Sequence, residues 1–108
     1  MNRWNIPAWL EQEVLARDTS CVYCSADFSL AGATRGNRPS WEHIVNDVGI
    51  VTRENIARCC ISCNASKGAR ELGVWLQSEY CRRKGIHEEA VGRVVRNALS
   101  VPTEYAGA

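Results

Sequence analysis

Two short cysteine pairs, separated by 35 residues, constrain this chain more than any other feature. Cys21 and Cys24 form one C-x-x-C pair, and Cys60 and Cys63 form the other. Such a pair directs two thiolates at one point, so two pairs supply the four sulfurs of a tetrahedral zinc site. The spacing therefore predicts a closed, structural zinc site that joins two distant parts of the chain.

The two other cysteines leave part of this assignment open. Cys59 directly precedes Cys60 and offers a ligand with three intervening residues, but Cys60 repeats the spacing of the first pair and is favoured. Cys81 has no C-x-x-C partner and is expected to pack as a small apolar residue. Because no secretion signal leads the sequence, a disulfide framework is disfavoured. Reduced, core-packed cysteines are the alternative to a metal site.

Length and charge narrow the class of protein. The 108 residues suit one domain, whose small core would gain from a bound metal. No apolar run approaches the roughly 20 residues of a membrane-spanning helix, so we expect a cytoplasmic protein without a membrane partner. The formal net charge of +1 excludes nucleic-acid binding by bulk charge alone. Between residues 35 and 84, however, nine basic side chains outnumber five acidic ones and favour a local basic surface.

The apolar pattern predicts an α+β fold. Helical spacing indicates a helix over residues 6–18, and a Ser-, Ala- and Gly-rich stretch over 25–40 indicates a surface loop. Strand-like composition then predicts a hairpin with an enlarged loop, built from residues 41–45, 49–52 and 55–59.

Helical patterns follow the hairpin. They predict a helix over residues 60–67 that stops at Gly68, and an amphipathic helix over 72–84. A last helix is expected over about residues 86–100. We therefore predict a single domain over residues 1–108, whose core covers about residues 7–84 and is flanked by N- and C-terminal helices.

A polar motif lies between the cysteine pairs. Glu42 and His43 are followed by Asn55, and Asn64 follows the second pair. Over about residues 7–84 this pattern resembles the HNH endonuclease family. That family has a small ββα-metal (His-Me finger) core, here with a structural zinc site of two C-x-x-C knuckles. Glu42 stands where the family usually has Asp, and Asn64 stands where it often has His.

The resemblance implies a metal-dependent endonuclease that hydrolyses DNA phosphodiester bonds by nicking or double-strand cleavage, with low sequence specificity. His43 would be the general base, Glu42 and Asn64 would hold one Mg²⁺ or Mn²⁺, and Asn55 would bridge the loop backbone and hold the His43 ring. This chemistry needs an activated water and neutralisation of charge on the phosphate. A neutral histidine provides the first, and a hard cation on oxygen ligands provides the second.

Glu42 and His43 are neighbours in sequence, so they face opposite sides of a regular strand. Both can serve one site only if the strand ends or bends there. The turn residues Asn46, Asp47 and Gly49 soon afterwards are compatible with such an end.

Basic residues near the motif are the expected contacts with the nucleic-acid backbone. They are Lys67, Arg53, Arg58, Arg70 and Arg38. Double-stranded DNA is the expected partner, RNA stays open, and the chain is expected to act as a monomer or homodimer in a bacterial or phage context. The alternative is a non-catalytic module of the same scaffold, either a zinc-stabilised DNA-binding protein or a phage packaging or assembly accessory.

Overall fold

An antiparallel hairpin lies at the centre of the computed structural model, which describes residues 2–29 and 34–100. Strand β1 covers Pro39–His43 and strand β2 covers Ile56–Cys60. The strands pair along their whole length, with the first residue of β1 opposite the last residue of β2. The predicted strands over residues 41–45 and 55–59 are therefore confirmed with shifted ends.

The hairpin has two different faces, because successive side chains of a strand point to opposite sides. The inner face packs against the C-terminal helices and carries Ser40, Glu42, Ala57 and Cys59. The outer face packs partly against the N-terminal helix and carries Trp41, His43, Ile56 and Arg58. The two adjacent residues at the end of β1 thus point toward different neighbours.

Helix α1, Ala8–Arg17, lies against the outer face beside Ile56. It begins after Pro7, whose extended backbone and missing N–H suit a helix start. Leu10 and Val14, one turn apart, are fully buried in the contact with β2. The helix predicted over residues 6–18 is therefore confirmed with shorter ends.

Four helices follow β2 within the described residues, and three of them begin at a side-chain cap, which is Glu71 for the second helix. The Cys60 sulfur accepts the Cys63 N–H at the start of α2, and the Ser78 side chain accepts the Cys81 N–H at the start of α4. Gly85 follows α4 in the left-handed conformation that favours glycine. The helices are α2 (Ile61–Lys67), α3 (Leu72–Trp75), α4 (Glu79–Lys84) and α5 (Arg93–Ser100).

Three predicted elements differ in the structure. Residues 49–52 do not form a strand, because the Ile50 N–H bonds the Asp47 carbonyl and the Ile50 carbonyl accepts the Asn55 amide. The helix expected over residues 72–84 is two short helices, because α3 ends at Trp75 and Ser78 caps a new helix that begins at Glu79. The spacing of apolar residues continues across this break and therefore does not reveal it. The C-terminal helix expected over about residues 86–100 begins only at Arg93, after a turn over residues 87–91.

The loop predicted over residues 25–40 is also modified. It contains a 3₁₀ turn at Arg35–Asn37, and its last two residues already belong to β1. Residues 30–33 of this loop lie outside the described part of the chain. Across the described part, every helix is too short or too polar to cross a lipid bilayer.

Candidate functional site

The two C-x-x-C pairs converge on one point. Cys21 and Cys24 lie in the turn after α1, whereas Cys60 ends β2 and Cys63 lies in the first turn of α2. Their sulfur atoms all lie within 4.8 Å of one another, and the Cys24 and Cys60 sulfurs are 3.7 Å apart. Sulfurs at about 2.3 Å from a tetrahedral zinc ion are about 3.8 Å apart, so the cluster fits that ion.

Backbone donors support the same sulfurs. The N–H groups of Tyr23 and Cys24 point at the Cys21 sulfur, and the Cys63 N–H points at the Cys60 sulfur, each at 3.4 Å. Such N–H···S contacts stabilise negative charge on a thiolate. The four cysteines can therefore hold a metal ion such as zinc, with donors already directed at two of its ligands.

The hairpin explains why Cys60 joins this cluster and Cys59 does not. Consecutive strand residues face opposite sides, so Cys59 lies on the inner face, where its sulfur is 3.7 Å from the Ser40 hydroxyl. Burial raises the pKa of the Cys59 thiol, which keeps it protonated. Cys81 is fully buried in the same core cluster, as expected for a packing residue.

Glu42 lies on the inner face in a buried polar network. Its Oε2 accepts a hydrogen bond from the Tyr23 hydroxyl at 2.5 Å and lies 3.2 Å from the Lys67 ammonium. Lys67 is 1% exposed and also donates to the Ile44 carbonyl at 3.0 Å. Burial and the adjacent carboxylate raise the pKa of Tyr23 well above its usual value, so its hydroxyl stays a donor.

Asn64 contacts the strand beside Glu42. Its Nδ2 donates to the Ser40 hydroxyl at 3.0 Å and to the Trp41 carbonyl at 3.1 Å. The Asn64 Oδ1 and the Glu42 Oε1 make no hydrogen bond within the described residues. Both oxygens are of the type that hard divalent cations bind.

His43 ends β1 on the outer face and is largely buried. The Trp4 ring lies edge-on against it, with the ring centroids 5.9 Å apart. His43 Nε2 is a buried atom without a hydrogen-bond partner among the described residues. Burial lowers the pKa of His43, against the opposing effect of the Glu42 and Asp47 charges. The imidazole is therefore held in its neutral form.

Asn55 joins both sides of the loop that follows β1. Its Oδ1 accepts the Val45 N–H at 2.7 Å, and its Nδ2 donates to the Val45 and Ile50 carbonyls. Its backbone carbonyl accepts the Ile44 N–H at 2.9 Å. These contacts fix the chain directly after His43, whereas none of the hydrogen bonds of the Asn55 side chain within the described residues goes to the His43 ring.

The five basic residues expected to contact phosphate lie in different environments. Lys67 does not present its ammonium at the surface, because that group is bonded to Ile44 and Glu42 in the core. Arg53 is exposed and paired with Glu13. Arg58 is half-buried, and its guanidinium lies 4.8 Å from the centre of the Trp41 ring. Arg38 and Arg70 are exposed.

Sequence comparison gives one similarity. No protein-family model matches the chain, and no solved structure matches it. An alignment 73 positions long, which covers 65% of this chain, shows 29% identity to the CRISPR-associated endonuclease Cas9 of Corynebacterium diphtheriae. The chain spans about 6% of the length of that protein. This similarity and the four-cysteine cluster fit a zinc-knuckle nuclease of the HNH type.

Two residues at the candidate site were not found from the sequence. Tyr23 lies between the ligands of the first cysteine pair, and this position was the only signal that could have drawn attention to it. Trp4 lies 39 positions before His43, and no local pattern predicts contact between them.

Proposed function

We propose that this chain is a metal-dependent HNH-type nuclease that hydrolyses phosphodiester bonds in DNA, with His43 as general base. The observation that carries the proposal is the state of His43. His43 stands at the end of β1, burial lowers its pKa and so favours the neutral imidazole, its ring makes no hydrogen bond within the described residues, and Asn55 fixes the backbone that follows it. The similarity to a protein named as an endonuclease supports the same reading.

The residues around β1 divide the work. His43 accepts the proton of the attacking water, for which a neutral imidazole with a pKa near or below the working pH is suited. Glu42 Oε1 and Asn64 Oδ1 would hold a divalent cation such as Mg²⁺ or Mn²⁺. When bound, that cation neutralises charge on the phosphate and assists departure of the leaving oxygen. Because β1 ends directly after Glu42 and His43, we propose that the phosphate binds at this end of the strand.

The protein surface supplies DNA contacts in this proposal. Arg38 and Arg70 are exposed and lie just before β1 and just after α2, the two elements that carry Glu42 and Asn64. Contacts from such cations to phosphates position a duplex without reading its sequence. We therefore propose double-stranded DNA as the substrate, with weak sequence preference.

The test uses a supercoiled plasmid and zinc-loaded protein, with Mg²⁺ or Mn²⁺ or with EDTA. We expect metal-dependent conversion to nicked or linear DNA, and a loss of about 10²- to 10⁴-fold in rate for His43→Ala. His87→Ala is the matched control, since His87 is an exposed histidine paired with Glu89. Cleavage by His43→Ala at the parental rate would contradict the proposal.

A non-catalytic module is the second candidate and gives a different result. It predicts zinc-dependent folding and DNA binding, but no strand scission with any divalent metal. The similarity to a protein named as an endonuclease favours the nuclease over this module.

A further inference from the structure

Tyr23 connects the cysteine cluster to the polar network of β1. It lies between two of the four cysteines, and its N–H points at the Cys21 sulfur. Its side chain crosses the core, where the ring packs edge-on against Trp75 at 4.8 Å. Its hydroxyl then reaches Glu42 Oε2. A single residue thus contacts a candidate zinc ligand with its backbone and a candidate ligand of the second cation with its side chain.

The contact with Glu42 is built to hold one orientation. Tyr23 is 1% exposed, so water does not compete for its hydroxyl. A hydrogen bond from a hydroxyl to a carboxylate is among the stronger kinds, and at 2.5 Å this one is short. Because Oε2 also faces Lys67, rotation of the carboxylate would break both contacts of this oxygen.

We propose that Tyr23 is a positioning residue that holds the Glu42 carboxylate from the zinc knuckle and thereby sets the affinity of the divalent-cation site. This inference rests on the proposed function, since it assigns Glu42 to that site. Hydrogen-bond partners that orient a metal-binding carboxylate typically contribute 10- to 100-fold in metal affinity. Here the hydrogen bond to Glu42 comes from Tyr23, which lies between two candidate zinc ligands, Cys21 and Cys24.

The first experiment measures Mn²⁺ affinity without DNA. The proteins are the zinc-loaded parent, Tyr23→Phe and Tyr80→Phe, and free Mn²⁺ is followed by electron paramagnetic resonance. Tyr80→Phe is the matched control, because Tyr80 also packs on Trp75 and donates to the Cys63 sulfur at 3.3 Å. We expect Mn²⁺ affinity to fall about tenfold or more in Tyr23→Phe and to stay within about twofold of the parent in Tyr80→Phe.

Zinc content and the melting temperature of each protein separate positioning from folding. A Tyr23→Phe protein that keeps its zinc and binds Mn²⁺ as tightly as the parent overturns the inference. Absence of Mn²⁺ binding and of cleavage in the parent would instead refute the proposed function itself, so the two failures are distinguishable.

A second measurement needs no variant and stands if Tyr23→Phe does not fold. In the parent, the Tyr23 hydroxyl proton should give a slowly exchanging, downfield proton resonance. Addition of Mg²⁺ should shift this resonance and leave that of Tyr80 in place. If Mg²⁺ binds and the Tyr23 resonance does not move, Tyr23 does not position the Glu42 ligand.

Discussion

The two faces of the hairpin differ in whether their buried polar side chains have hydrogen-bond partners. On the inner face, Glu42 is buried with the Tyr23 hydroxyl and the Lys67 ammonium as partners. On the outer face, His43 is buried to a similar degree, but its Nε2 has no partner among the described residues. A buried polar group without a hydrogen bond costs about 1–3 kcal/mol.

The two faces therefore differ in how well their buried polar groups are satisfied. The inner network stabilises a charge inside the core and fixes the strand against α2. On the outer face, burial lowers the pKa of His43 and so favours the neutral imidazole, the form that can accept a proton. Residues adjacent in sequence therefore have different environments because they lie on different faces.

The largest effect is expected for a comparison of Cys60 with Cys59, which lie on opposite faces of β2. Cys60→Ser should abolish cooperative folding, because structural zinc in small sites contributes about 10–16 kcal/mol of apparent binding free energy. Cys59→Ser is the matched control on the inner face. It should keep its zinc and lose only about 1–3 kcal/mol, the cost of a poorly paired buried hydroxyl. Zinc content and thermal unfolding followed by circular dichroism measure both, and equal zinc loss would contradict the assignment.

The next effect tests the inner network. Lys67→Met should lower the free energy of unfolding by about 3–5 kcal/mol, since it leaves Glu42 buried without its cation. Arg70→Met, three residues later and exposed, should change it by no more than about 0.5 kcal/mol. Urea unfolding of the two zinc-loaded variants measures the contrast. Similar values for both would show that the Lys67–Glu42 pair does not hold in solution.

The smallest effect is expected in the pH dependence of cleavage, which depends on the pKa of His43 on the outer face. Burial lowers the pKa of His43, so the neutral base persists, and cleavage should be maintained, to below about pH 6.5 before the rate falls. Trp4→Ala should hydrate the ring, raise this pKa toward its ordinary value and move the acid limb to higher pH. Nuclear magnetic resonance titration of His43 measures the shift directly. An unchanged titration curve would exclude Trp4 as a cause of the burial.

Local sequence signals predicted two helix ends and the choice of one zinc ligand. Pro7 placed the start of α1, Gly68 placed the end of α2, and the spacing of the C-x-x-C pairs chose Cys60 over Cys59. Local rules failed for residues 49–52 and 72–84. Strand composition does not show that the Asn55 side chain bonds the Ile50 carbonyl in the loop. Helical periodicity likewise continues across Ser78, where α4 begins.

The candidate site was predicted as a set of residues, but its geometry was not. The motif placed Glu42, His43, Asn55 and Asn64 around one hairpin. The sequence pattern indicated a surface role for Lys67, because a lysine at a helix end is usually solvated. In the structure Lys67 points into the core, where its charge is tolerated because the Glu42 carboxylate faces it.

The sequence by itself determined which side chains are candidates for chemistry in this protein: four cysteines in two pairs, and a motif of one carboxylate, one imidazole and two amides. Covalent spacing fixes such features, because a C-x-x-C turn or an E-H pair depends only on neighbouring residues. Tertiary structure alone decided the partners of each group. The contacts of Tyr23 with Glu42, of Lys67 with Ile44 and of Trp4 with His43 join residues 19 to 39 positions apart. They arise when the core closes around the hairpin.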